Sequence, residues 1–292
     1  MPARFEPLFL DVDAGPLAQR FAIHHPPNGG RARALVVYVH PFAEEMNKSR
    51  RMAALQARAL AEAGFAVLQI DLLGCGDSAG DFGDASWPRW VADVGFACHW
   101  LQAQYCNAEG ATPELWLWGL RAGCLLAAEA AAQLDAPCKL LFWQPAHSGK
   151  LLLQQFLRLK AAGELLGGHG KAAMETLRGD IAAGRSVDVA GYTLAAALCE
   201  GLEQAELHPP AQAGISVWLE TSTVAGTALS PASEARLAAW RAQGWAVQAK
   251  AINGPAFWQT TEIEDAPALL AATLAALHAQ APAFQTVTSE IS

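Results

Sequence analysis

Short apolar runs alternate with helix-like segments along most of this chain. Continuous apolar runs rich in β-branched residues are typical of strands buried on both faces, and they occupy residues 33–40, 65–71, 114–119, 139–143, 215–220 and 245–252. Helical spacing follows at 49–63, 88–104, 122–134, 233–243 and 267–280. This alternation predicts a mostly parallel central sheet flanked by helices on both faces. Residues 7–12 and 17–24 predict an antiparallel pair of strands ahead of it.

The alternation stops between residues 147 and 213. Helical patterns cover 151–159, 171–178 and 192–207, and no strand is predicted among them. An all-helical insertion between two strands is typical of a cap over a ligand site. The sequence therefore predicts a core formed by residues 1–146 and 214–292, with a helical cap at 147–213.

Composition and charge narrow the class of protein. Of the 292 residues, 52% are hydrophobic and 16% are charged, against roughly 25% charged in typical domains. This balance excludes intrinsic disorder. The net charge is −8, and the lysines and arginines are dispersed, so nucleic acid is not an expected partner.

Location and cofactors follow from what the chain does not contain. No apolar run is long enough to span a bilayer, and the first residues lack the apolar region of a secretory signal. The six cysteines form no C-x-x-C pair, and free buried thiols fit a reducing compartment. We expect a cytoplasmic protein with no membrane span, no metal and no cofactor.

Ligand sites in open parallel sheets lie at the carboxyl ends of the strands. The third predicted strand ends in Gly119-Leu120-Arg121-Ala122-Gly123 and runs directly into a helix. This segment resembles the turn of the α/β-hydrolase superfamily, whose enzymes carry the nucleophile in the centre of G-x-S-x-G. The resemblance implies an α/β-hydrolase fold with a cap insertion. Gly119 and Gly123 match the two glycines, and Arg121 stands at the nucleophile position.

The residues that would complete a catalytic triad are also changed. A guanidinium stays protonated, with a pKa above about 12, so Arg121 is neither a nucleophile nor a useful general base. No histidine occurs from 209 to 277, where the resemblance places the base. Glu220 fits the acid position but has no histidine to orient. Ser-His-Asp acyl transfer is therefore not expected.

The remaining groups at the strand ends predict a pocket. The first strand ends in His40-Pro41-Phe42, and the backbone amides of Phe42 and Ala122 match the positions that form the oxyanion hole in the superfamily. Trp143 and Trp258 follow two other strands and could line a pocket wall. We therefore assign six residues to ligand binding: His40, Phe42, Glu44, Ala122, Trp143 and Trp258.

A cation at the start of a helix needs an anionic partner, because the helix dipole disfavours it by about 0.3–1 kcal/mol. Glu44, Glu45 and Glu220 are the candidates within the chain, and a bound carboxylate or phosphate is the candidate outside it. Two alternatives stay open. Arg121 either fills the old nucleophile position as part of an internal ion pair or binds an anionic ligand.

A second resemblance is more specific. Residues 40–52, His-Pro-Phe-Ala-Glu-Glu-Met-Asn-Lys-Ser-Arg-Arg-Met, and residues 254–259, Gly-Pro-Ala-Phe-Trp-Gln, are similar to motifs of the second class of exosortase A system-associated hydrolases. That resemblance implies a bacterial cytoplasmic protein that works with exosortase, PEP-CTERM sorting and exopolysaccharide genes. An acyl carrier protein is an implied partner.

Two functional hypotheses follow. In the first, a hydrolase-fold protein with a degenerate triad, a pseudoenzyme, binds a small acidic or acylated ligand. In the second, the protein is a hydrolase or acyltransferase for ester or thioester substrates with a non-standard site. In that site Glu45 activates water as a general base and Arg121 polarises the carbonyl, with Glu220 as the remaining acid.

Overall fold

The computed structural model of the protein describes residues 4–165, 170–224, 226 and 228–280. Residues 281–292, which the sequence assigns to the core, lie outside this part. The strands of the described chain are β1 (Glu6–Asp11), β2 (Gln19–His25), β3 (Leu35–Val39), β4 (Ala66–Ile70), β5 (Leu115–Leu120), β6 (Lys139–Trp143), β7 (Val187–Val189), β8 (Tyr192–Leu194), β9 (Ile215–Ser222) and β10 (Ala246–Asn253). Its α-helices are α1 (Glu44–Glu62), α2 (Trp87–Tyr105), α3 (Ala122–Gln133), α4 (Gly149–Leu165), α5 (Gly170–Ala182), α6 (Ala196–Gln204), α7 (Pro231–Ala242) and α8 (Pro267–Gln280).

Eight of these strands form one sheet in the order β1-β2-β4-β3-β5-β6-β9-β10. The pairs from β4 to β10 are parallel, and β2 is antiparallel to both β1 and β4. The predicted mostly parallel sheet and its antiparallel lead-in are confirmed. The order and the flanking helices are those of an α/β-hydrolase fold.

Alternate side chains of the buried strands form a hydrophobic core on each face of the sheet. One core packs Val36, Trp118 and Leu141 of the strands against α1 and α8. The other core packs Val37 and Phe142 against α2, α3 and α7. Parallel strands covered on both faces have continuous apolar sequences, which is why the runs were recognisable in the chain.

Helix α1 begins at Glu44, five residues before the helical pattern predicted from residue 49. Two acidic residues, Glu44 and Glu45, occupy its first turn, where negative charge interacts favourably with the helix dipole. This extension matters for the site, because it places both carboxylates on the first turn of a helix that starts at the carboxyl end of β3.

The prediction of an all-helical cap is wrong. Strands β7 and β8 form an antiparallel hairpin within it, and the predicted helix at 192–207 is β8 followed by α6. Ala190 and Gly191 connect the two strands with φ of 49° and 84°, and positive φ at both central residues is the signature of a type I′ hairpin turn. The flanking alternation of apolar and polar residues fits two short strands.

The two ends of the cap join the core side by side. Ser148 and Glu206 form an isolated β-bridge, and the Leu207 amide donates to the His147 carbonyl at 3.0 Å. Arg236 of α7 donates to Glu206 at 3.0 Å and to the same His147 carbonyl at 3.4 Å. One arginine of the core therefore contacts both ends of the cap.

Candidate functional site

The turn between β5 and α3 has the backbone shape that its two glycines predict. Arg121 lies at its apex with φ 55° and ψ −116°, a conformation that costs a non-glycine residue about 1–3 kcal/mol. A Cβ on Gly119 would lie 2.6 Å from the Cys124 nitrogen, and one on Gly123 would overlap the Val39 carbonyl oxygen. Only glycine fits at these two positions, so the tight turn presents Arg121 at the carboxyl end of the sheet.

Arg121 forms an ion pair with Glu45, as the sequence predicts. The Arg121 Nε donates to Glu45 Oε1 at 3.2 Å, and the two side chains are 15% and 20% exposed. Glu44 instead accepts from the Tyr192 hydroxyl of the cap at 3.4 Å. The positive charge at the start of α3 therefore has one carboxylate partner, which α1 supplies from the other side of the site.

This ion pair leaves hydrogen-bonding groups of both residues unused. Among the described residues, neither terminal nitrogen of Arg121 donates a hydrogen bond, and the buried Glu45 Oε2 accepts none. Burial raises the pKa of Glu45, and the Arg121 charge opposes that shift. The guanidinium also lies over the ring of Trp258, with its carbon 5.8 Å from the ring centroid.

A cavity of about 600 Å³ opens above the Arg121–Glu45 pair, between the core and α4 of the cap. Its size is typical of small-molecule sites. The polar part of the wall contains two acids and two cations, and the cap supplies most of the apolar part. The lining residues are Phe42, Glu44, Glu45, Lys48, Arg121, Leu152, Gln155, Phe156, Leu159, Trp258 and Gln259.

Two backbone amides at the same end of the sheet are available as donors. In the part of the chain that is described, neither the Phe42 nor the Ala122 amide donates to a protein acceptor. Phe42 precedes α1 and Ala122 opens α3, so each amide belongs to the loop-to-helix junction next to the ion pair. Free amides in this arrangement bind an anionic or polarised oxygen.

Three of the predicted ligand-binding residues do not line the cavity: Ala122, His40 and Trp143. Ala122 is buried and offers only the backbone amide described above. His40 is buried: its Nδ1 contacts the Pro41 carbonyl at 2.8 Å, and the Leu72 amide donates to its Nε2 at 3.3 Å. These bonds fix a neutral ring, and burial lowers its pKa. Trp143 is fully buried beneath α8, where its Nε1 donates to Thr273 at 2.9 Å. His40 orders a loop, and Trp143 packs in the core.

Glu220 also lies apart from the cavity. It ends the buried part of β9 and lies near the start of α7, where Ser233 and Ser230 lower the pKa of its carboxyl group. Burial raises that pKa more than the two serines lower it, and Glu220 Oε1 is buried without a hydrogen-bond partner among the described residues. The structure therefore brings Glu44, Glu45, Phe42, Arg121 and Trp258 together and leaves Glu220 outside the lining of the cavity.

The sequence predicts a cap over the ligand site but not which of its residues line the cavity. Leu152, Gln155, Phe156 and Leu159 are spaced i, i+3, i+4 and i+7 along α4, so they share one face of the helix. Phe156 also packs edge-on against Phe42, with ring centroids 5.1 Å apart. The helical spacing of these residues was the available signal, but it does not distinguish a cavity wall from a core contact.

The opposite face of α4 lines a second cavity. Lys150, Leu153, Gln154 and Leu157 repeat the same spacing and border about 540 Å³ inside the cap, together with residues of α5 and α6. Helix α4 therefore separates a cavity shared by cap and core from one lined by the cap alone.

None of the helices in the described ranges has the length and apolar character needed to cross a bilayer. Across those same ranges, no three histidine, cysteine, aspartate or glutamate side chains are grouped so that they could hold a metal ion.

The fold and the turn at Arg121 define the class as an α/β hydrolase, and comparison with known families agrees. Residues 30–179, slightly more than half of the chain, match the profile of the family described as serine aminopeptidase, S33. The chain belongs to this family. A search of curated proteins found no match.

Solved structures with the same fold cover nearly the whole chain. The ferulic acid-bound Est1E from Butyrivibrio proteoclasticus is 17% identical with a TM-score of 0.61, and a carboxyl esterase from Bacillus coagulans is 14% identical with a TM-score of 0.63. Both cover 94% of this chain and 98% of their own. The α/β serine hydrolase XC6422 from Xanthomonas campestris, described as having no lid, is 18% identical with a TM-score of 0.56 over 97% of this chain and 98% of its own. At these identities the similarity shows the fold.

Proposed function

We propose that this protein is a pseudoenzyme that binds the anionic head of an acidic or acylated small molecule in the cavity above Arg121. The observation that carries the proposal is the cation itself. Arg121 occupies the position that a nucleophile would need, and only one of its three guanidinium nitrogens has a protein acceptor among the described residues. The two terminal nitrogens, with four N–H donors, therefore remain for a ligand. A carboxylate fits them, because guanidinium and carboxylate form paired hydrogen bonds.

The rest of the cavity supports a ligand with an apolar tail. The free amides of Phe42 and Ala122 add two donors beside the guanidinium, and Lys48 adds a second positive charge. Leu152 and Phe156 of α4 form an apolar wall on the cap side. A carboxylate would contact the donors while an acyl chain follows that wall.

Binding of decanoate tests this proposal by isothermal titration calorimetry. A charge-assisted hydrogen bond contributes about 1.5–3 kcal/mol, so Arg121→Ala should weaken binding by at least about tenfold. Arg51→Ala is the matched control, because Arg51 is an exposed arginine of α1 that pairs with Asp265. It should leave the affinity unchanged. Equal affinities of the wild type and Arg121→Ala would refute the proposal.

A second function has one observation in its favour. Glu45 has a raised pKa, and its Oε2 is uncommitted, which suits a general base that activates water. The free amides would then stabilise the oxyanion of an ester or thioester. Turnover of p-nitrophenyl esters or acyl thioesters that is lost in both Arg121→Ala and Glu45→Gln would establish this hydrolase and exclude the pseudoenzyme.

We further propose that the protein acts in the cytoplasm, in an exosortase, PEP-CTERM and exopolysaccharide system. The motifs at 40–52 and 254–259 support this setting, and both contribute residues to the cavity: Glu45 and Lys48 from the first, Trp258 and Gln259 from the second. An acyl carrier protein could then deliver the acyl group. Tighter binding of the acylated carrier than of the unacylated carrier is the expected result by calorimetry, and equal binding would exclude acyl recognition.

A further inference from the structure

The proposed acid-binding site contains a hydrogen-bond acceptor that the described protein groups do not satisfy. Glu45 Oε1 is occupied by Arg121, whereas Oε2 is buried and has no partner. A buried polar atom without a hydrogen bond costs free energy. Glu45 lines the cavity and the terminal torsion of a glutamate is soft, so the carboxylate can turn toward a donor on a ligand. A ligand that donates a hydrogen bond to Oε2 would remove the cost.

The position of this acceptor limits where the donor can be on the ligand. In the proposed complex the acid group contacts the terminal nitrogens of Arg121, and the Nε of the same guanidinium is 3.2 Å from Glu45. The acid group of the ligand and the Glu45 carboxylate would therefore lie beside the same guanidinium group, that of Arg121. A donor on the first or second carbon from the acid group can reach Oε2, whereas a donor farther along the chain lies against the apolar wall of α4.

The charges of the cavity wall balance one another. Glu44 and Glu45 line this part of the cavity together with Lys48 and Arg121, so the donor on the ligand needs no charge of its own. A neutral hydroxyl is sufficient, and its hydrogen bond to an ionised acceptor is stronger than one to a neutral acceptor.

We infer that the ligand is an acyl compound with a hydroxyl on its α or β carbon, which donates to Glu45 Oε2. This inference rests on the proposed function, because it takes the acid group to be bound at Arg121. It assigns Glu45 the role of a specificity-determining residue and makes the site selective for hydroxyacyl over unsubstituted acyl chains.

Three acids of equal chain length test the inference by calorimetry: decanoate, α-hydroxydecanoate and β-hydroxydecanoate. The wild type should bind one of the hydroxy acids about tenfold more tightly than decanoate. Glu45→Ala should bring that ratio close to one, and Glu45→Gln, which keeps the shape of the side chain without the charge, should reduce it. The affinities for a hydroxy acid and for decanoate are compared within each variant. Any general effect of losing the Arg121–Glu45 ion pair on affinity therefore cancels in the ratio. Glu62→Gln, at an exposed glutamate at the other end of α1, should keep the full ratio.

The outcomes separate this inference from the proposed function. If decanoate and both hydroxy acids bind the wild type equally, and Arg121→Ala weakens all three, the acid-binding function stands and the hydroxyl selectivity is refuted. If none of the acids binds, both are refuted. If the selectivity survives in folded Glu45→Ala and Glu45→Gln, another residue receives the hydroxyl and the assignment of Glu45 is wrong.

Discussion

Because the backbone at Arg121 is strained, we expect glycine at this position to give a more stable protein than alanine. Both Arg121→Gly and Arg121→Ala remove the ion pair with Glu45, so their difference in stability isolates the backbone. Alanine keeps the cost of φ 55° and ψ −116°, about 1–3 kcal/mol, and glycine is free of it. Glycine in turn stabilises the unfolded chain by about 0.4–1 kcal/mol. Arg121→Gly should therefore be more stable than Arg121→Ala by roughly 1–2 kcal/mol.

Urea denaturation followed by the fluorescence of the ten tryptophans measures this difference. The matched control is Arg58, an exposed arginine inside α1, where alanine should be more stable than glycine by about 1 kcal/mol. The expected result is a reversal of sign between the two positions. If Arg121→Ala is at least as stable as Arg121→Gly, the turn relaxes without cost, and the argument that the fold holds Arg121 in a strained conformation is refuted.

Three further predictions concern groups around the site. Gly123→Ala should destabilise the protein by several kcal/mol or prevent folding, because its Cβ would overlap the Val39 carbonyl oxygen. Gly95→Ala is the control and should be neutral or stabilising, because no atom lies within 4 Å of the new Cβ. Soluble yield and urea midpoints compare the two variants. Thr273→Val should lower the unfolding free energy by about 1–3 kcal/mol, because it leaves the buried Trp143 Nε1 without its acceptor; Thr273→Ser retains the hydroxyl, and an equal loss there would contradict the explanation. Glu220→Gln should raise stability at neutral pH and give no gain at about pH 3. The folded-state pKa of Glu220 is above its unfolded value, so the folded protein favours the protonated form, and the cost of the charge appears as pH rises from about 4. Urea midpoints measured across pH test this. A gain in stability that persists in acid would show that packing, and not the charge, is responsible.

The alternation of apolar runs and helices was sufficient to predict the core, because strands buried on both faces are short, continuous apolar runs that their length distinguishes from the helices. The pairing of Arg121 with an acid was also predictable, since a cation at a helix N-terminus requires one. The hairpin at 187–194 was missed because its strands have three residues each, too few for a periodic pattern, although Ala190-Gly191 is a recognisable turn.

The positions of His40 and Trp143 depend on information that the strand ends do not carry. The His40 ring is held by backbone groups at residues 41 and 72, and the second of these lies in a loop that follows a different strand. Trp143 shares a face of β6 with Leu141, in the core against α8. The alternation of side chains along a strand could have excluded Trp143 from the pocket.

Because the two faces of α4 line different cavities, the residues on each face are under different constraints. Substitutions at 152, 155, 156 and 159 alter the cavity above Arg121, while those at 150, 153, 154 and 157 alter the interior of the cap. A saturation library of α4 selected for ligand binding should therefore enrich changes with helical periodicity in the first set alone. Neighbouring positions such as 156 and 157 would tolerate different residues, because each lines a different cavity. In relatives that keep this cap, drift along α4 should separate into the same two interleaved sets.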